Sequence, residues 1–242
     1  MKDFAYLCKS NITMLVFMKI ALYHGSDKIV IRPGLGLGNP ANDYGPGFYC
    51  TKELALAYEW ACTDSHIGFA NKYELDTDGL DILYLNDGRY HLLNWLAILL
   101  ENRLFDITAS LPAKAKAYIL THFLPDYKNR DILIGYRADD SYFSFAKAFL
   151  NNTISLEQLG RAMRLGHLGE QVVIRSAAAY EALFYLSSAM ADRDIYYPRR
   201  MARDASARKQ FRDIQAEDAQ TDAVYIVDMI RQNWQNDDPR LR

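Results

Sequence analysis

Between Arg32 and Gly47 the chain carries five of its 13 glycines and three of its 7 prolines. A helix cannot cross such a run, because each proline lacks an amide donor and clashes with the preceding turn, and a central strand cannot cross it either. The run is therefore a loop, and it separates two stretches that read as strands. Upstream, Lys19 to His24 sets Ile20, Leu22 and His24 on one face at period two. Downstream, Gly45-Pro46-Gly47-Phe48-Tyr49-Cys50 hinges into a short strand, Phe48 to Thr51. One strand delivers a histidine to the turn Gly25-Ser26, and the other delivers Tyr49. The loop is no P-loop, because no Gly-Lys-[Ser/Thr] follows. Nor is it a dinucleotide fingerprint, because Gly34, Gly36 and Gly38 miss the G-x-G-x-x-G spacing and no helix follows directly.

Beyond this hinge, strands and helices intersperse without regular βαβ alternation, which predicts an α+β fold. Helices are expected over Lys52 to Cys62 (capped by Thr51), Tyr90 to Asn102, Lys114 to His122, Ser141 to Leu150, Ser155 to Leu165 and Ala177 to Ser187. Strands are expected over Asn71 to Leu75, Leu80 to Leu85, Asp131 to Tyr136 and Gln171 to Ser176. Ser155 with Gln158 three residues on forms a capping box. Residues 1–17 read as an N-terminal extension, 18–190 as the main domain, and 191–242 as a mostly helical part packed on it.

Half the residues are apolar, which suffices for an ordinary core, and the formal net charge of −2 gives no global signal for nucleic acid. Locally, Arg193 to Arg212 holds seven basic residues against two acids, with Tyr196, Tyr197 and Phe211 interleaved. That segment is either a solvated helix face or a phosphate-contacting patch. Three cysteines without CxxC spacing make no secreted disulfide framework, so a reducing, cytoplasmic setting fits. The apolar run Ile12 to Met18 is too short to span a bilayer. The histidines form no metal-binding cluster, so no metal is expected.

Leu22-Tyr23-His24-Gly25-Ser26 resembles the histidine strand of the ADP-ribosyltransferase superfamily, in its poly-ADP-ribose polymerase-like His-Tyr-Glu branch. Gly45-Pro46-Gly47-Phe48-Tyr49-Cys50-Thr51 resembles that branch's tyrosine element. Glu170, in Leu168-Gly169-Glu170-Gln171-Val172-Val173-Ile174, stands where its glutamate would follow. The His-Gly-Ser strand, the Asp-Tyr-Gly-Pro-Gly-Phe-Tyr-Cys-Thr element, the turn Ala138-Asp139-Asp140 and the Gly-Glu-Gln strand start are also similar to an uncharacterised bacterial family of this superfamily. Many relatives carry Glu-x-Glu or Gln-x-Glu at the third site. Here valines follow Glu170-Gln171, so only the single-glutamate version fits.

The resemblance implies a split β-sheet core with surrounding helices and an NAD-dependent mono-ADP-ribosyltransferase. Cleaving the N-glycosidic bond of NAD passes through an oxocarbenium-like state, so negative charge is needed beside the ribose. On the family's pattern, His24 and Ser26 hold the dinucleotide and the backbone of Gly25 pairs with the nicotinamide amide. Tyr49 stacks on nicotinamide, and Trp60, with Tyr58 in reserve, closes the other side. Glu170 stabilises the developing cation. Arg137, Asp139 and Asp140 are candidates for substrate contact, with a surface arginine and a helix-capping turn as their plain readings. NAD is then the co-substrate and a macromolecule (protein, RNA or DNA) the acceptor. A bacterial toxin or anti-phage role with an antitoxin partner follows by analogy. The alternatives are a catalytically inactive NAD-binding or interaction module and a nucleic-acid-binding regulator.

Overall fold

The structure is a computed structural model that describes residues 19–105, 109–137, 140–217 and 222–241. The extension at 1–17 and Asp139 lie outside the described residues, as does the side chain of Asp140. Among the described residues, seven strands form one sheet: β1 (Lys19–Ser26), β2 (Phe48–Thr51), β3 (Gly68–Asp76), β4 (Ile82–Tyr84), β5 (Ile132–Tyr136), β6 (Glu170–Ile174) and β7 (Leu183–Ala191). Their order is β4-β5-β6-β2-β1-β3-β7, and only β4 and β5 run parallel. This is the mixed α+β architecture that the interspersed pattern predicts.

Pairing strength is uneven. β1 runs against β3 in continuous register from Lys19↔Asp76 to Ser26↔Phe69. β1 and β2, at the sheet's centre, are registered through one pair, Tyr23↔Thr51. Beyond it the two strands part, and the ring of His24 bridges the gap by its bond to the Tyr49 carbonyl. The sheet is thus two well-knit parts, β4-β5-β6-β2 and β1-β3-β7, meeting at a thin seam.

Each face of the sheet has its own core. On one side, α2 (Leu92–Asn102) is buried continuously from Leu93 to Leu100. It packs with α3 (Ser110–Phe123), α4 (Asp140–Leu150), α5 (Leu156–Ala162) and α8 (Ile226–Gln232) over Leu133 and Val173. On the other side, Leu22, Phe48, Cys50, Tyr73, Val172 and Ile174 form a second cluster under α6 (Ala177–Glu181). The alternation of Val172 and Val173 between the clusters is the period-two geometry of a strand covered on both faces.

Local signals fared unequally. The Ser155 capping box forms as expected: Gln158 N donates to Ser155 Oγ at 3.2 Å, and Ser155 N to Gln158 Oε1 at 2.8 Å. The first helix, α1 (Leu54–Ala61), starts later than Lys52, because Thr51 is still strand and its Oγ1 accepts from Glu53 N two residues on. The expected helix over Ala177 to Ser187 is corrected. It stops at Glu181, and the chain turns into β7, which pairs along β3. Without β7 the outer backbone groups of β3 would have no ladder partners, and that need outweighs the helix propensity of alanine and leucine.

The long helix α7 (Arg193–Ala216) docks on the sheet-covering helices. Tyr196 stacks on Tyr58 at 4.7 Å between ring centroids, and Phe211 packs on Phe145 at 4.0 Å. Arg203 donates to Glu59 at 2.6 Å. The basic segment thus uses Arg203, Tyr196 and Phe211 in internal packing.

Candidate active site at the seam of the sheet

The three signature residues come from remote segments but sit on three adjacent strands, β6, β2 and β1. Gln171 lies opposite Thr51, and Thr51 opposite Tyr23. Glu170 and His24 are each one residue from that line, in opposite directions. Two strand spacings and a two-residue offset set their Cα atoms about 12 Å apart. Alternation puts both side chains on the same face, and Tyr49 on the other. The histidine and the tyrosine thus flank the seam from its two sides.

His24 is half-buried, its ring 4.2 Å from the ring of Phe48. Its Nδ1 lies 2.7 Å from the Tyr49 carbonyl oxygen, which can only accept, so Nδ1 carries the hydrogen. Burial lowers its pKa below the usual value, against a smaller opposing effect of that hydrogen bond, so the neutral tautomer leaves Nε2 as an acceptor. Behind it, Asn71 is fully buried and organises the turn after β1. Its Nδ2 lies within 3.3 Å of the His24 carbonyl, Ser26 Oγ and the Lys28 carbonyl. Its Oδ1 accepts from Val30 N at 3.0 Å. Ser26 Oγ also donates to the Lys28 carbonyl at 2.6 Å.

Gly25 has a packing duty of its own. A Cβ there would stand 2.0 Å from the Ala57 carbonyl oxygen and 2.9 Å from Ala61 N, so only glycine lets α1 lie this close to β1. On the β2 side, the hydroxyl of Tyr49 donates to the Gly45 carbonyl at 2.5 Å and accepts from Tyr44 N at 3.2 Å. Burial holds that phenol protonated, its pKa pushed well above the usual value. Tyr49 therefore closes its own loop and packs on the first core cluster. The neighbouring residues explain the rest of the motif. Buried Asp43 pairs with Arg103 at 2.7 Å, and Tyr44 donates to the Tyr136 carbonyl at 2.6 Å.

Glu170 opens β6, delivered by Gly169, whose φ of +63° favours glycine. About a third of its side chain is exposed, and both oxygens are held: Oε2 by Lys52 Nζ at 3.0 Å, Oε1 by Asn86 Nδ2 at 3.1 Å. It borders a cavity of about 260 Å³ with Asn86, Tyr136, Arg137, Arg164 and Leu168. The guanidinium of Arg137 lies over the Trp60 ring, 2.8 Å from its centroid. Trp60 thus faces the glutamate's side of the molecule, with one face covered. Tyr58 does not reach the site, since it is stacked against α7. Lys52, Asn86 and Asn71 escape a reading by motif. Lys52 and Asn86 meet Glu170 only through strand pairing, across sequence separations of 118 and 84. The described residues include no cluster of three or more His, Cys, Asp or Glu that could hold a metal. Nor is any described helix long and apolar enough to cross a membrane.

Fold and site together define an α+β protein whose adjacent central strands β6, β2 and β1 carry a glutamate, a tyrosine and a histidine. A family model described as "Protein of unknown function (DUF3990)" matches residues 20–185, from β1 into β7, and the chain belongs to that family. The match contains all three signature residues and ends before α7. No curated protein matches the chain, and no solved structure does.

Proposed function

We propose that this chain is a mono-ADP-ribosyltransferase that cleaves NAD and passes ADP-ribose to a macromolecular acceptor. The observation that carries the reading is the strand order. Segments beginning at residues 19, 48 and 170 are neighbours at the sheet's centre, and each carries one member of the His-Tyr-Glu set. The thin β1–β2 seam suits the split sheet of that superfamily. In this reading Nε2 of His24 accepts from a ribose hydroxyl, and the Glu170 carboxylate stands beside the ribose as nicotinamide leaves. Lys52 and Asn86 keep the carboxylate extended from the strand end. Nicotinamide takes the face of Trp60 that Arg137 covers, so Arg137 swings aside on binding and its charge is then available to the diphosphate.

Purified protein is incubated with NAD labelled in its adenylate part and with cell lysate. Label transferred to a macromolecule by the wild type and lost in Glu170→Gln supports the reading, and equal labelling by both sinks the glutamate's role. A second reading, an NAD-binding module without chemistry, is favoured by the lysine on Glu170 and the arginine on Trp60. Saturable NAD binding without transfer or nicotinamide release distinguishes it.

A further inference from the structure

At the opposite end of β6 from Glu170, five residues along the strand, lies a separate cavity of about 320 Å³. It sits beneath the glycine-rich loop, with Leu35, Pro46 and Tyr180 as its apolar wall. Three cations line it, Lys128, Arg130 and Arg175, and no acid does. Two of them have surface partners: Lys128 pairs with Glu101 at 2.7 Å and Arg130 with Asp81 at 2.8 Å. Arg175 forms no ion pair among the described residues. Its Nη1 donates to the Tyr127 carbonyl at 2.8 Å. Its Nε is buried with no hydrogen-bond partner, and so is the hydroxyl of Tyr180.

We propose that this cavity binds a small phosphate-bearing ligand, with the phosphate on Arg175. The Tyr127 carbonyl fixes one guanidinium nitrogen and orients the group. That leaves the Nε/Nη2 edge, a fork whose spacing matches two phosphate oxygens once the guanidinium tilts to bring buried Nε to the cavity. The Tyr180 hydroxyl, buried without a partner in the cavity wall, turns to supply a further donor, and buried polar groups without partners are rare enough to call for an explanation. Lys128 and Arg130 add positive charge at the rim. The organic part of the ligand rests on Leu35, Pro46 and the Tyr180 ring. The volume is at the small end of ligand sites, which favours a monophosphate over a dinucleotide. The Ser176 hydroxyl is not among the donors, because it is committed to Asp131. The proposal does not depend on the transferase reading.

The test is calorimetric titration of the full chain with inorganic phosphate and with adenosine monophosphate, ionic strength being matched with chloride. Wild type binds the probes saturably at one site. Tyr180→Phe, which keeps the ring and removes only the hydroxyl, weakens binding several-fold, and Arg175→Gln weakens it roughly tenfold or more. Lys128→Gln, at an exposed position, weakens it less. Absence of saturable binding to wild type overturns the proposal, as does unchanged affinity in Tyr180→Phe and Lys128→Gln. Repeating the titration with NAD present separates the sites: unchanged phosphate affinity supports a site of its own, and competition overturns that assignment.

Discussion

Removing the Arg203 side chain tests how the long helix α7 is fixed. Glu59, on α1, is 4% exposed and faces Arg203, which is 26% exposed. Burial raises the Glu59 pKa above the usual carboxyl value, and Arg203, Arg199, Arg137 and Arg200 pull it back only in part. Deleting one partner of a fully buried pair costs about 3–5 kcal/mol, because a charge is left buried alone. Here Arg203 is partly hydrated and three more arginines stand nearby, so Arg203→Ala should cost about 2 kcal/mol at pH 7. For a chain of this size that lowers Tm by about 4–8 °C. The pH dependence has a definite sign. A carboxyl whose folded pKa is raised binds more protons in the folded state, so its contribution improves as pH falls through that raised value. In Arg203→Ala the pKa rises further, Glu59 takes up a proton on mild acidification, and the gap to wild type narrows. Glu59→Gln in the same background should recover part of the loss. Urea melts followed by circular dichroism, at neutral and mildly acidic pH, read all of this. A loss under about 0.5 kcal/mol, or a gap that ignores pH, refutes a buried pair holding α7.

Other outcomes follow from the seam. Gly25→Ala drives a methyl into the backbone of α1, which cannot step aside, and should cost about 3 kcal/mol by denaturant melt whether or not NAD ever binds. Asn71→Ala should cost about 2–3 kcal/mol and speed hydrogen exchange at the Val30 amide, whose acceptor it removes. His24 should titrate by NMR below its usual value of 6.5. Because its folded pKa is depressed, the unfolded chain binds more protons there, so stability is whole above the unfolded pKa and declines as pH falls through it towards the folded value. His24→Gln should remove that component of the decline.

The sequence carried the parts of this site that are local. Prolines and glycines between Arg32 and Gly47 force a loop, so the strands bearing His24 and Tyr49 could be bounded on each side. Ser155 and Gln158 meet within one turn, and their box was equally visible. What sequence alone could not supply was adjacency. That β6 lies beside β2 is a matter of strand pairing over more than a hundred residues, and with it go the long-range contacts of Lys52 and Asn86 with Glu170. Asn71 hides for another reason, since a buried amide looks like any polar residue until the loop it satisfies is folded over it. β7 misled because its apolar residues occupy both faces of an edge strand: Leu183 is buried while Phe184 and Leu186 are exposed, so no apolar–polar alternation marks it, and alanines precede it. Only the open edge of β3 makes that segment a strand.

The account's central claim is that His24 and Glu170, on one face of the sheet, serve one NAD molecule, while Tyr49 on the other face fixes the loop between their strands. Nicotinamide released over time from NAD, measured for the wild type beside a folded Glu170→Gln, tests it most directly. The account requires steady release by the wild type and, in the variant, loss of release while NAD still binds. Release that is the same in both, or a wild type to which NAD does not bind, contradicts it.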